Sequence, residues 1–261
     1  QWTYNTFALA NVAGKAMVQR GGDSFFFIVA DYAFGQALEK DVTDVVTKSG
    51  GKVLGRAPHP INTMDFSSNL LKAQQSGAKV IALANSGGDT QSAIKQAAEF
   101  GILNSGQKIV ALLIDVSDIR SIGLNLAQGL LATSGFYWNM DDRTREFTKR
   151  FEPKAGKKPG MMHAGVYSSA LNYLRAMQAA GSDEPGAVVK QLRTMKFDDA
   201  FARNGRLRED NLMVHDMYLA QAKKPSESAG PDDVYNILGT ISGDDAFQKL
   251  ADSACPMVAK K

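Results

Sequence analysis

The stretch S-F-F-F-I-V-A-D-Y-A-F-G, residues Ser24–Gly35, decides the fold. A continuous apolar run closed by a short turn and a glycine reads as a strand buried on both faces that hands the chain to a helix. Working outward, the same cadence returns. The expected strands are Ser24–Ala30, Lys52–Arg56, Lys79–Ala84, Lys108–Ile114 and Leu130–Phe136, and the stretches between them have helical spacing. A parallel sheet covered by helices on both faces requires this alternation. Such sheets bind small molecules at the carboxyl ends of their strands, which here are Asp31–Gly35, Asn85–Asp89 and Asp115–Asp118.

The intervening helices obey one grammar. The first begins near Gly35, carries Ala37, Leu38, Val42, Val45 and Val46 as an apolar stripe, and stops at Gly50-Gly51, where a left-handed residue closes the last turn. The second starts at Asp65, whose side chain can cap free amides, and buries Phe66, Leu70, Leu71 and Ala73 before Gly77. The third starts near Asp89, turns Ile94, Ala97 and Ala98 inward and closes at Gly101.

After Trp138 the pattern changes. Helices are expected over Asp141–Pro153, Met162–Ala180 and Glu184–Met195, the last with Ser182 and Asp183 available as caps and Pro185 in its first turn. No strand is expected among them. Apolar strands return at Met213–Ala220 and Val234–Thr240, separated by the Pro-, Gly- and Ser-bearing loop Lys223–Asp233, and a closing helix follows at Asp244–Leu250. The three helices lack a sheet of their own to cover their apolar stripes.

Composition excludes several classes. With 261 residues, 44% hydrophobic and 22% charged, the chain can bury one large core or two smaller ones. The net charge of +3 is spread along the chain with no basic cluster, so nucleic acid is not an expected partner. No apolar run approaches the ~20 residues that span a bilayer, and no basic-then-apolar leader opens the chain. The expectation is a soluble chain or the mature part of a secreted one. Cys255 is the single cysteine, and no redox compartment follows from it.

The order of motifs carries a resemblance. The D-Y-A-F-G-Q turn (31–36), K-V-L-G, D-F-S-S-N-L-L (65–71), G-A-K-V-I-A-L-A (77–84), N-S-G-G-D (85–89) and I-K-Q-A-A-E-F-G-I (94–102) resemble the periplasmic solute-binding proteins of ABC importers, type I, in the leucine/isoleucine/valine-binding branch. A-G-V-Y-S-S-A-L-N-Y-L-R-A (164–176) and G-S-D-E-P-G-A-V-V-K-Q-L (181–192) extend the likeness over nearly the whole chain. The resemblance implies two α/β lobes joined by three crossings, here near Thr3–Phe7, Gly135–Asn139 and Arg206–Asn211, with ligand held between them. On that reading residues 7–135 with 211–252 form a parallel, doubly wound α/β lobe. Residues 139–208 form the helical part of an incomplete other lobe, and 253–261 form a tail. Members of the family carry further sequence ahead of the first crossing, and some have a cysteine there that would pair with Cys255.

The resemblance and the strand ends together nominate site residues. Tyr32 and Phe34 occupy the first strand-end turn, where the family places an aromatic on the ligand; the alternative is an aromatic at the edge of the core. Asn85 and Ser86 follow the third strand, with Gly87 and Gly88 permitting close backbone approach. Asp115 ends the fourth strand, as partner of a ligand ammonium or as a helix cap. His163 and Tyr167 open the long helix, the histidine as a ligand contact and the tyrosine as a packed aromatic. His59 lies between two prolines and His215 in a strand, neither with a partner at metal-ligand spacing.

No G-x-G-x-x-G follows the first strand, and the Walker, nucleophile-elbow and H-E-x-x-H patterns are missing. Asp141 and Asp142 suit a helix start better than an acid–base pair. No cofactor, metal or catalysis is expected. The expected ligand is an amino acid or an aromatic or other small organic carboxylate, and the expected partner is a membrane permease. A ligand-sensing domain of a receptor or regulator is the other function that the same fold serves.

Overall fold

The computed structural model describes residues 1–256 and 258. Helix α1 (Thr6–Gln19) opens the regular structure. It is followed by β1 (Ser24–Ala30), α2 (Ala33–Lys48), β2 (Lys52–His59), α3 (Ser67–Gln75), β3 (Val80–Ala84), α4 (Gly88–Glu99), β4 (Lys108–Ala111), α5 (Val116–Ile122), α6 (Leu124–Ala127) and β5 (Leu131–Ser134). Then come α7 (Asp142–Ala155), α8 (Met161–Ala180), α9 (Pro185–Thr194), β6 (Lys196–Phe197), β7 (Gly205–Leu207), β8 (Met213–Val214), β9 (Met217–Ala222), β10 (Tyr235–Ile241) and α10 (Gly243–Ala246).

The chain divides into two units. The α/β unit comprises residues 6–133 and 219–239; the helical unit comprises 1–5, 134–218 and the described residues from Thr240 on. The sheet order is β10-β9-β5-β4-β3-β1-β2, and β1 to β5 pair in parallel. All seven residues of β1 and all five of β3 are buried, as central parallel strands with helices on both faces must be. Of the expected elements in this unit, β2 extends three residues further to His59, while β4 and β5 are shorter than expected at their carboxyl ends.

Helix α1 has no counterpart in the sequence reading. Its Ala8, Leu9, Ala10, Val12, Ala13, Ala16 and Met17 are buried, so the apolar residues surround the helix instead of marking one stripe, and periodicity is silent. Small residues let it lie close to α2: a Cβ on Gly14 would stand 3.5 Å from Val45 Cγ1. Helix α3 starts two residues later than expected. Asp65 Oδ1 nevertheless accepts the Ser67 N–H at 2.8 Å, and these bonds to Ser67 hold its carboxyl below the usual carboxylate range. Leu71, expected inside, is exposed.

The helical unit departs from expectation in its strands, its closing helix and the cap of α9. Residues 139–208, read as helices without a sheet, contain β6 and β7, which form an antiparallel sheet with β8, Lys196 opposite Arg206 and Arg206 opposite Val214; the expected strand Met213–Ala220 is divided between β8 and β9. Strands β6 and β7 are only two and three residues long, too short to display alternation. The same pairing draws residues 211–218 into this unit, and Gly243 N–H donates to Asp216 Oδ1 at 3.3 Å, which draws in the segment after Thr240. Both segments lie in the span 211–252 that the resemblance assigns to the α/β lobe. The closing helix is a single turn, α10, and the cap of α9 is Glu184, whose carboxylate accepts the Ala187 N–H at 3.0 Å.

Tertiary order in this unit is fixed by Trp2, whose indole donates to Ser168 Oγ at 3.1 Å and meets Phe197 edge-on at 5.0 Å. Asp199 accepts bonds from Ser168 and Asn172 on α8. Cys255 is a half-buried free thiol. The expected tail 253–261 lies partly outside the described residues.

Candidate functional site

The parallel sheet places four chain turns at the carboxyl ends of β1, β2, β3 and β4. The first holds Tyr32 and Phe34. Tyr32 is 43% exposed, and its ring centre lies 5.9 Å from that of Phe34 at an interplanar angle of 37°. Between them Ala33 begins α2, and Gly35 brings that helix down onto the strand ends: a Cβ there would lie 2.1 Å from Ala30 O and 3.0 Å from Ala84 O. The glycine is therefore what lets an aromatic pair sit directly on top of β1.

The third strand ends in Asn85–Gly88. Ser86 and Gly87 are half-buried and Gly88 is exposed, so this backbone faces outward. Gly87 adopts φ 58°, ψ −131°, a conformation reserved for glycine, and no atom lies within 4 Å of where a Cβ would be on either glycine. Asn85 departs from expectation. Its side chain is fully buried, with Nδ2 3.1 Å from His59 Nε2 and Oδ1 accepting from Thr90 Oγ1 at 2.7 Å. It stands beneath the turn instead of on it, because a short amide just past a central strand reaches both His59 at the end of β2 and Thr90 in the first turn of α4.

Asp115 is the N-cap of α5. It is 7% exposed, its Oδ1 accepts the Val116 N–H at 2.8 Å, and Asp118 Oδ2 accepts the Asp115 N–H at 2.9 Å, a reciprocal capping box. Asp118 also accepts from Gln91 on α4 at 2.7 Å, and Gln91 Oε1 accepts from Ser121, so α4 and α5 are tied side by side. The carboxylate is thus occupied by the helix that follows it.

His163 lies in the helical unit, in the first turn of α8. Its Nδ1 accepts the Gly160 N–H at 3.1 Å, which puts its ring proton on Nε2, and the ring meets Phe151 at 5.3 Å. Tyr167 packs against Phe147 at 4.9 Å. Tyr32, Phe34, Ser86, Gly87 and Asp115 are brought to the carboxyl ends of three strands, β1, β3 and β4, that are neighbours in the sheet.

The residue that sequence reasoning passed over is His59. It is the last residue of β2, paired with Ala30, and 3% exposed. The alternating burial of β2 ends on it, which is the one signal that separates it from a loop histidine. Among the described residues no group of His, Cys, Asp or Glu is placed to hold a metal ion, and no helix is long and apolar enough to cross a membrane.

Comparison with known proteins follows the same lines. The chain is similar to a solved periplasmic binding protein from Burkholderia mallei, 47% identical, with a TM-score of 0.95 over 98% of this chain and 68% of that one. It is also similar to the structure described as a branched chain amino acid ABC transporter periplasmic ligand-binding protein from Burkholderia xenovorans, 40% identical, with a TM-score of 0.90 over 98% of this chain and 69% of that one. A Leu/Ile/Val-binding protein homologue of Brucella melitensis is 23% identical over 86% of this chain, which spans 59% of that relative's length. The family profile described as periplasmic binding protein matches residues 1–230, and with that match the chain belongs to the periplasmic binding protein family.

Proposed function

We propose that this chain is the ligand-capturing part of an extracytoplasmic solute-binding component of an ABC importer, and that its ligand is a small aromatic carboxylate whose ring lies against Tyr32. The observation that carries this is the half-exposed Tyr32–Phe34 pair seated on β1 beside the open glycine turn after β3. Rings of this kind prefer offset or edge contacts worth about 0.5–1.5 kcal/mol beyond area burial. The strand-end turns carry Asp31, Asp89, Asp115 and Asp118 and no lysine or arginine, so on this reading the ligand's carboxylate finds its cation elsewhere in the protein. Tyr32→Ala is expected to weaken 4-hydroxybenzoate binding by roughly threefold to tenfold in calorimetry. An unchanged affinity removes the aromatic contact from the reading.

A second reading, an aliphatic amino acid, is favoured by Asp115 at the end of β4 and by the description of the Burkholderia xenovorans relative. Asparagine caps helices as well as aspartate does, so Asp115→Asn keeps the cap and removes the charge. Leucine affinity that falls with this substitution supports the amino-acid reading. The aromatic reading expects 4-hydroxybenzoate binding to stay within about twofold.

We also assign the two units to the two lobes of the family fold. Helix α8 exposes Met162, Val166, Tyr173 and Leu174 by 44, 65, 42 and 61%. A stripe of this kind at helical spacing calls for a partner, and further sequence of the family's length is its proposed cover. Leu174→Asp should then lower the unfolding midpoint of a chain of the relatives' length and leave that of residues 1–261 unchanged.

A further inference from the structure

His59 touches both turns of the candidate face. Its backbone carbonyl accepts the Asp31 N–H at 2.8 Å, which starts the turn carrying Tyr32. Its Nδ1 lies 2.7 Å from Pro60 O, an atom that only accepts, so Nδ1 bears the ring proton and Nε2 presents a lone pair. Among the described residues the hydrogen-bond partner of Nε2 is the Asn85 amide, 3.1 Å away, which therefore turns its Nδ2 to the ring and its Oδ1 to Thr90 Oγ1 at 2.7 Å. Thr90 belongs to the first turn of α4. The relay joins the ends of β2 and β3, which are not neighbours because β1 lies between them, and every side chain in it is buried. Phe66 closes one side of the imidazole edge-on at 4.8 Å.

We propose that His59 is a positioning residue for the ligand face, holding the turn of Tyr32 through its carbonyl and the turn of Ser86–Gly87 through its ring and Asn85. The inference rests on the reading of these turns as the ligand face. Buried polar chains of this kind are satisfied as a whole or not at all, because each member fixes the orientation of the next.

Two carboxamide substitutions separate the ring nitrogens. In His59→Gln the amide oxygen reaches the place of Nε2, keeping an acceptor for Asn85 and losing the contact with Pro60. In His59→Asn the amide reaches only the place of Nδ1, keeping the Pro60 contact and losing Asn85. Each variant gives up one hydrogen bond, so a merely structural role predicts equal effects. We expect hydrogen exchange at residues 85–90 of the ligand-free protein to rise about tenfold in His59→Asn and to stay near wild type in His59→Gln. Thr90→Val, which cuts the relay at its other end without touching His59, should raise the same exchange.

Affinity for 4-hydroxybenzoate and for leucine is measured in the same proteins, and whichever probe binds should lose about tenfold in His59→Asn alone. Equal exchange in the two His59 variants, or an unaltered Thr90→Val, overturns the relay. Unequal exchange with unchanged affinity, or wild-type protein that binds neither probe, overturns the reading of the face and leaves the relay standing.

Discussion

Gly35→Ala is expected to destabilise the protein by more than about 3 kcal/mol, the range reserved for substitutions that force backbone to move. A methyl at this position would stand 2.1 Å from Ala30 O and 3.0 Å from Ala84 O, the carbonyls that end β1 and β3. No side chain can rotate away to make room, because both contacts are main chain. The start of α2 must lift off the sheet, taking Tyr32 and Phe34 with it, so ligand affinity falls together with stability. Chemical denaturation of the variant beside wild type checks this. A loss below about 1 kcal/mol would mean that α2 can be seated on the strand ends in another way.

The second large effect is a pH dependence lodged in the helical unit. His215 is fully buried between the rings of Phe201 at 4.7 Å and Phe247 at 5.2 Å. Burial pushes its pKa below the ordinary histidine value, outweighing the carbonyls of Asp216 and Thr3, each 2.9 Å from a ring nitrogen, and the charges of Asp216 and Asp199. The folded protein therefore takes up this proton less readily than the unfolded chain does. The stabilisation is complete above about pH 6.5 and is lost as the pH falls from there toward the depressed folded value, at about 1.4 kcal/mol per pH unit. Urea midpoints at pH 7.5 and 5.5 should fall for wild type by more than for His215→Gln. Equal slopes would show that His215 is not the group responsible. The ring also bridges Thr3 and the segment of Phe247, so acid is expected to loosen the first and last segments of that unit.

These expectations draw on different levels of the chain. The parallel sheet was legible because Ser24–Ala30 and Val80–Ala84 are apolar runs bounded by turn residues, and burial on both faces leaves no other use for them. The location of the face followed from topology, since strands running in parallel present their carboxyl ends on one side. Helix α1 was not legible, because a helix apolar all round has no stripe to detect. Nor were β6 and β7, which exist through pairing with each other and with β8 and have no periodicity of their own.

The same division runs through the site. Residue types and turn positions, aromatics at 32 and 34 and glycines at 87 and 88, are local properties and could be named from sequence. Which way a polar side chain is spent is not local. Asn85 is satisfied by residues 26 positions before it and five after it, and Asp115 is taken up by a helix whose first turn answers it with Asp118. Hydrogen-bond partners are chosen by distance in space, and the folded chain sets those distances. The sequence by itself determined the parallel sheet and the end of it that carries the candidate face; the tertiary structure alone decided which of the polar groups at that end are already bonded within the protein.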